Sequence, residues 1–230
     1  MIRLKALCQV TAGLLFMLLS TLGSLQAANR DAQALHQHLT KMHALSAHFT
    51  QQILNARGTQ IQQVSGYLAL ERPHYFYWQT LAPFPQEIVS NGQQLWVYDP
   101  DLEQVSLHTL DEQAHKTPIA VLLGNFEQLS RHYQVSQLGG TAKAVQMFQL
   151  VPLTETNLFT HLQVRFVDGV LDQLTFADTL GQQTRIDLDR VHLNPELDPS
   201  QFEFQIPENT EVIRALQAES PPQPQSLTTE

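Results

Sequence analysis

The feature that most restricts the fold is a change of period near residue 46. Before it, Leu35, Leu39, Met42 and Leu45 recur at spacings of four, three and three, which places them on one face of a helix over 30–44. Asp31 near its start suits the helix dipole. After it, apolar and polar residues alternate. Ala47, Phe49, Gln51 and Ile53 alternate with His48, Thr50, Gln52 and Leu54, and Val64, Gly66, Leu68 and Leu70 with their neighbours. Phe76 and Trp78 alternate with Tyr75 and Tyr77, and Leu95 and Val97 with Trp96 and Tyr98. Gly58, Asn91-Gly92, Asp99-Pro100, Gly139-Gly140 and Asp168-Gly169 punctuate these runs as turns. Further strands are expected over 133–138, 145–153, 159–167, 170–176, 184–193 and 202–206. A second helix should start at Thr117, a good N-cap before Pro118, with Ile119, Leu122, Leu123 and Phe126 as its apolar side. Many short antiparallel strands with a few short helices predict a mainly β (α+β) chain. Its form is a half-open, highly curved antiparallel β-barrel, with the helices as a lid over its open face.

Strands with one wet face alternate cleanly. Here the run Tyr75 to Trp78 is aromatic at every position, and Trp96-Val97-Tyr98 repeats the pattern. Both faces must therefore meet apolar material: a core, a covering element or a ligand.

The first residues read as an export signal. Arg3 and Lys5 precede an apolar stretch from Val10 to Leu22, and the small residues Ala27 and Ala28 close it. That core is too short for a spanning helix, which needs about 20 apolar residues. We expect cleavage after Ala27, a carrier domain over 28–214 and a Pro-rich, disordered tail over 215–230, and we expect the protein in the periplasm. The single cysteine, Cys8, lies inside the signal, so the mature chain has no thiol chemistry and no cysteine to carry a lipid anchor. Losing Arg3 and Lys5 takes the net charge from −9 to −11. Nucleic acid demands basic patches, so that class is excluded.

Catalytic signatures are missing. There is no G-x-S-x-G, no H-E-x-x-H, no phosphate-cradling loop and no dinucleotide fingerprint. We expect no enzyme and no cofactor. His36, His38, His43 and His48 cluster, but no two stand at i, i+4 on a helix, so they read as surface residues rather than metal ligands. Asp187 and Asp189 share a strand face that the neighbouring Ile186 and Leu188 turn toward solvent. Arg72-Pro73 is the most informative polar position. It ends a strand before the aromatic run, and its five donors suit backbone carbonyls of a covering element.

Glu71 to Trp78 (ERPHYFYW) and Ser90 to Val105 (SNGQQLWVYDPDLEQV) together resemble the LolA family of periplasmic lipoprotein carriers. Leu45 to Gln52 and Asp198 to Ile213 fit as well, while the tail beyond Arg214 is longer than that pattern. The resemblance implies an apolar cavity for acyl chains. Its expected lining is Leu35, Leu39, Phe49, Leu68, Leu70, Phe76, Trp78, Leu95, Val97, Ile119 and Leu122, with Arg72 as a latch bonded to lid backbone. It implies a monomer that takes outer-membrane lipoproteins from a LolCDE-type inner-membrane transporter to a LolB-type outer-membrane receptor. The alternative it leaves open is an RseB-like periplasmic sensor of similar fold. Such regulators usually carry a second domain, for which this chain has no room.

Overall fold

The computed structural model describes residues 30–109, 118–124, 126–139, 144–154 and 159–214. The expected signal, the Pro-rich tail, Thr117 and the side chain of Ile119 lie outside the described residues.

Twelve strands form one sheet. Six precede the central helices: β1 (Ala44–Leu54), β2 (Gln60–Glu71), β3 (Tyr75–Thr80), β4 (Gln86–Asn91), β5 (Gln94–Asp99) and β6 (Gln104–Thr109). Six follow: β7 (Tyr133–Gln137), β8 (Val145–Pro152), β9 (His161–Val167), β10 (Val170–Ala177), β11 (Gln183–Leu193) and β12 (Glu211–Arg214). The spatial order is β12-β6-β5-β4-β3-β2-β1-β11-β10-β9-β8-β7. The two ends, β12 and β7, do not pair, so the curved sheet stays open. All neighbours are antiparallel except β12, which runs parallel to β6. Helix α1 (30–41) and the short helices α2 (Pro118–Leu123) and α3 (Phe126–His132) complete the chain.

The turn chemistry works as the sequence suggests. Asn91 accepts from the amides of Gln93 and Gln94 through Oδ1, and Asp99 does the same for Asp101 and Leu102. Helix α1, however, stops at residue 41, three residues before its expected end at 44. The Asn194 side chain accounts for this. Its Nδ2 donates to the Lys41 carbonyl, and its Oδ1 accepts from the amides of His43 and Ala44. One side chain thus satisfies the helix end and starts β1. Leu45 moves from the helix face into a strand and still reaches the same core.

Two further expectations change. The second helix is broken into α2 and α3 around Gly124, and Phe126 belongs to α3. Glycine is among the poorest helix formers, so a break there is natural. No strand forms over 202–206. A 3-10 turn, Pro199–Phe202, is capped by the Asp198 carboxylate, which accepts from the Ser200 amide. Pro199 and Pro207 offer no amide to a ladder, and the aromatic side chains between them anchor this segment instead. Phe202 packs on Tyr75, and Phe204 on Trp96 and Tyr98. The paired strand comes later, as β12.

This resolves the strands that are apolar on both faces. Residues paired across antiparallel strands share a face. Leu68, Trp78 and Ile88 are therefore on one side, and Tyr77, Val89 and Trp96 on the other. The first set joins the main core, which gathers α1, α2, α3 and the inner faces of β1 to β3 and β7 to β11. The second forms a small outer core of Val89, Trp96 and Val105, covered by Phe204.

Gly66 decides how tightly the inner face packs. It stands opposite Phe49 on β1 and Thr80 on β3. A Cβ there would lie 1.9 Å from the Gln79 carbonyl oxygen and 2.7 Å from the Phe49 ring. Only a bare backbone lets Phe49 cross β2 and stack on Trp78, with ring centroids 3.8 Å apart. Gly66→Ala should cost about 1–3 kcal/mol of stability through overpacking, read as a lowered denaturation midpoint at unchanged slope. An unchanged midpoint would show that the Phe49–Trp78 stack is not constrained by this contact.

Candidate functional site

The inner face of the sheet packs against the underside of the helices in one hydrophobic core. Leu35 and Leu39 of α1, Leu122 of α2, and Leu45, Leu68 and Leu70 of the sheet are all fully buried. Phe49, Phe76 and Trp78 add an aromatic layer, with Phe76 and Trp78 centroids 6.3 Å apart. Of the residues expected to line a cavity, Leu35, Leu39, Phe49, Leu68, Leu70, Phe76, Trp78 and Leu122 lie in one packed core. Leu95 and Val97 share the face of Phe76 and Trp78 by register, through Ser90 and Ile88. They are only half-buried and lie outside the main core, so they extend the apolar surface toward the open edge.

Arg72 stands at the junction of all three helices with the sheet. It follows the last residue of β2, and its amide donates to the His43 carbonyl just beyond α1. Its Nη2 donates to the Gly124 carbonyl, 2.5 Å away, in the break between α2 and α3. The helix break is what makes that carbonyl available. Burial holds the Arg72 pKa below its ordinary value, and its Nη1 is buried without a hydrogen-bond partner. Arg72 also lines a cleft of about 290 Å³ together with His43, Glu71, Asn194 and Glu196.

His36 and His38 depart from the surface reading. Both are half-buried, and the Nδ1 atoms of both are buried without a hydrogen-bond partner. The His36 ring lies 5.5 Å from Phe126 of α3, and His38 stacks on Phe166 at 4.6 Å. Their positions beside the apolar stripe of α1 were readable. What covers them was not, because Phe126 and Phe166 come from distant parts of the chain. His43 and His48 are exposed as expected. Asp189 is exposed and Asp187, paired with Arg185, is half-buried on the outer face.

Burial pushes the His36 pKa down, and the nearby Arg72 charge pushes it further. For His38, burial is again the largest cause, and Lys41 adds to it against hydrogen bonding from Gln146 and Gly169. A base whose folded pKa is depressed is neutral in the closed form, and its contribution is fully present above the unfolded value of 6.5. That contribution is lost as pH falls below 6.5 toward the depressed values. Stability should therefore decline between pH 7 and pH 5, and the decline should shrink in a His36→Leu/His38→Leu variant. Denaturant titrations at several pH values check this. A double variant with the same pH slope as wild type would remove the histidines from the account.

The model of one protein family, described as "Outer membrane lipoprotein carrier protein LolA", matches residues 40–205. The chain belongs to the LolA family. An "Outer-membrane lipoprotein carrier protein" of Azotobacter vinelandii is 40% identical over 189 residues, covering 82% of this chain and 90% of that protein. A protein of the same description from Chromohalobacter salexigens is 38% identical over 189 residues, covering 82% and 89%. An uncharacterized conserved protein from Thermus thermophilus has the same overall architecture at 11% identity. Its TM-score is 0.50, covering 81% of this chain and 98% of that one. This LolA-family chain is a twelve-stranded open sheet whose inner face packs against three helices. Among the described residues, no helix is long and apolar enough to cross a membrane.

Proposed function

We propose that this chain is a periplasmic carrier of lipoproteins. It takes the acyl chains of cargo released by a LolCDE-type inner-membrane transporter and delivers them to a LolB-type outer-membrane receptor. The observation that carries this reading is the inner interface: a concave apolar sheet face, covered by three short helices and tied to them through Arg72. The relatives described as lipoprotein carriers support it.

The physics of the cargo fits. Each acyl methylene withdrawn from water contributes about 0.8 kcal/mol, so a multiply acylated protein does not cross an aqueous space unshielded. In the closed form Leu35, Leu39 and Leu122 occupy the concave surface. Acyl chains entering there replace one apolar contact with another. The exchange needs no nucleotide, and the binding energy is set by the difference between two similar interfaces. Cargo can be held and still be surrendered to a receptor with a slightly better site.

Two measurements test this together. Protein isolated from the periplasm of cells blocked at the receptor step should carry acylated protein identifiable by mass spectrometry. Trp78, stacked on Phe49 beneath the helices, should change its fluorescence when lipopeptide or an apolar dye binds. Protein that carries no acylated partner and binds no lipopeptide would end the carrier reading. Intact dye binding with a silent Trp78, given that Trp96 lies in the separate outer core, would place the ligand elsewhere.

A further inference from the structure

The two edges of the sheet are finished differently. At β7, the Asp31 carboxylate near the start of α1 accepts from the Gln137 amide, so part of that edge is closed. Bare edges are templates for further pairing, and proteins blunt them with prolines, lysines, bulges or covering elements. β12 has none of these. Among the described residues no strand pairs with its outer side, and all four of its residues, Glu211 to Arg214, are exposed. The Glu211 amide donates to the Glu103 carbonyl, toward β6. The polar groups of successive strand residues alternate in side, so Val212 and Arg214 turn their amides and carbonyls outward. The same strand ends a row that begins in the core. Partners across the sheet share a face, which links Trp78, Ile88, Val97, Ser106 and Ile213. Trp78 is buried, Ile88, Val97 and Ser106 are half-buried, and Ile213 is 43% exposed. The inner face thus continues from the covered core to the bare edge, with Ser106 the one polar residue in the row.

We propose that the free edge of β12 takes the polypeptide of the cargo as an added strand, through the extended segment next to its acylated residue. This rests on the carrier reading and adds a peptide site to its lipid site. A peptide added to a sheet edge is held by main-chain hydrogen bonds, whatever its sequence. Val212 and Arg214 supply both donors and acceptors for such a ladder. No residue of β12 belongs to the main core, so the edge is open while the helices lie on the sheet. The row from Trp78 to Ile213 is what points to cargo. Neighbouring strands lie about 4.8 Å apart, so an added strand runs roughly 14 Å from β5. Acyl chains lying on Leu95 and Val97 therefore bring the peptide they carry to this edge, and lipid and polypeptide are held on one continuous face.

The probes are a diacylglyceryl-modified peptide rich in serine and threonine, the plain diacylglycerol, and two N-methylated forms of the lipopeptide, each methylated on one of the two alternating sets of amides. Wild type should bind the lipopeptide about tenfold more tightly than the glyceride, the effect of one or two net backbone hydrogen bonds. Methylation of one set should remove that gain and methylation of the other should retain it, since only every second residue of an added strand turns its polar groups to its neighbour. Val212→Pro deletes the outward amide and spares the bonds to β6, and proline is tolerated at such edge positions. It should lower the gain to threefold or less, whereas Val212→Thr, which keeps the amide, should preserve it. The N-methyl comparison needs wild type alone and decides the matter even if Val212→Pro fails to fold. A lipopeptide bound no better than the glyceride overturns this inference alone, as do equal losses from both methylated sets. Slower delivery to receptor-bearing membranes by Val212→Pro, with the lipopeptide gain unchanged, overturns it in favour of the receptor at this edge. Wild type that binds neither lipopeptide nor glyceride overturns the carrier reading as well.

Discussion

Arg72→Leu is expected to load cargo normally and to release it poorly, leaving lipoprotein-loaded carrier in the periplasm. In the role proposed for Arg72, the guanidinium would favour the closed, empty form, because its bond to the Gly124 carbonyl requires the helices to lie on the sheet. A hydrogen bond from a charged donor contributes about 1.5–3 kcal/mol, roughly 10- to 150-fold in the balance between closed and open forms. Leucine removes this restraint and adds apolar surface at the rim, where half-buried Leu95 and Val97 already extend the inner face. Both changes favour the loaded state. Lysine should be a partial substitute, since it keeps charge but lacks the planar fork. The assay has two steps: release of cargo from spheroplasts, then transfer to receptor-bearing membranes. A leucine variant that transfers as fast as wild type would make Arg72 a residue of structure alone.

Much of this was legible in the order of residues. Alternation in β1 to β3 and the turn dipeptides gave an open antiparallel sheet, because period and turn chemistry are local properties. Arg72 was legible as well, through its place at the end of a strand before an aromatic run. Apart from the local break of the second helix at Gly124, the misreadings share one cause: each was settled by a partner far away in sequence. Asn194 ends α1 from about 150 residues downstream, overriding an apolar period that continues to Leu45. Phe202 and Phe204 look like strand positions by alternation. They serve as anchors on the outer faces of β3 and β5, while pairing passes to β12. The doubly apolar strands followed from this as well. Their outer face is covered by the chain's own C-terminal segment rather than by a ligand. Gly66 read as one alternating position among others, and its necessity appears only once Phe49 is seen crossing it. His36 and His38 read as surface residues because nothing nearby in sequence shows Phe126 or Phe166 above them.

A charge placed on the inner interface should separate lid from wall. Leu122 of α2 and Val164 of β9 are equally buried in one core. By burial alone, Leu122→Asp and Val164→Asp should be equally damaging, since an unpaired ionised carboxylate costs several kcal/mol to bury. The carrier reading predicts very different outcomes. Val164 lies on a strand paired on both sides, to β8 and β10. Its aspartate has no route to water short of losing the sheet, so that variant should unfold or accumulate as aggregate. Leu122 belongs to a six-residue helix outside the sheet. Its aspartate reaches water if the helices lift, and the exposed inner face then binds an apolar dye without cargo. Leu122→Asp should therefore keep strand-type circular dichroism and slow amide exchange in β1 and β2, while binding dye at least tenfold more tightly than wild type. Acidification below the carboxylate range should reverse the gain, because a neutral aspartic acid is far less costly to bury. Such a pH-reversible gain marks a cover that moves as a unit over a fixed wall. If Leu122→Asp instead unfolds together with Val164→Asp, the helices are permanent core, and the space for acyl chains must be sought at the open edge beyond Leu95 and Val97.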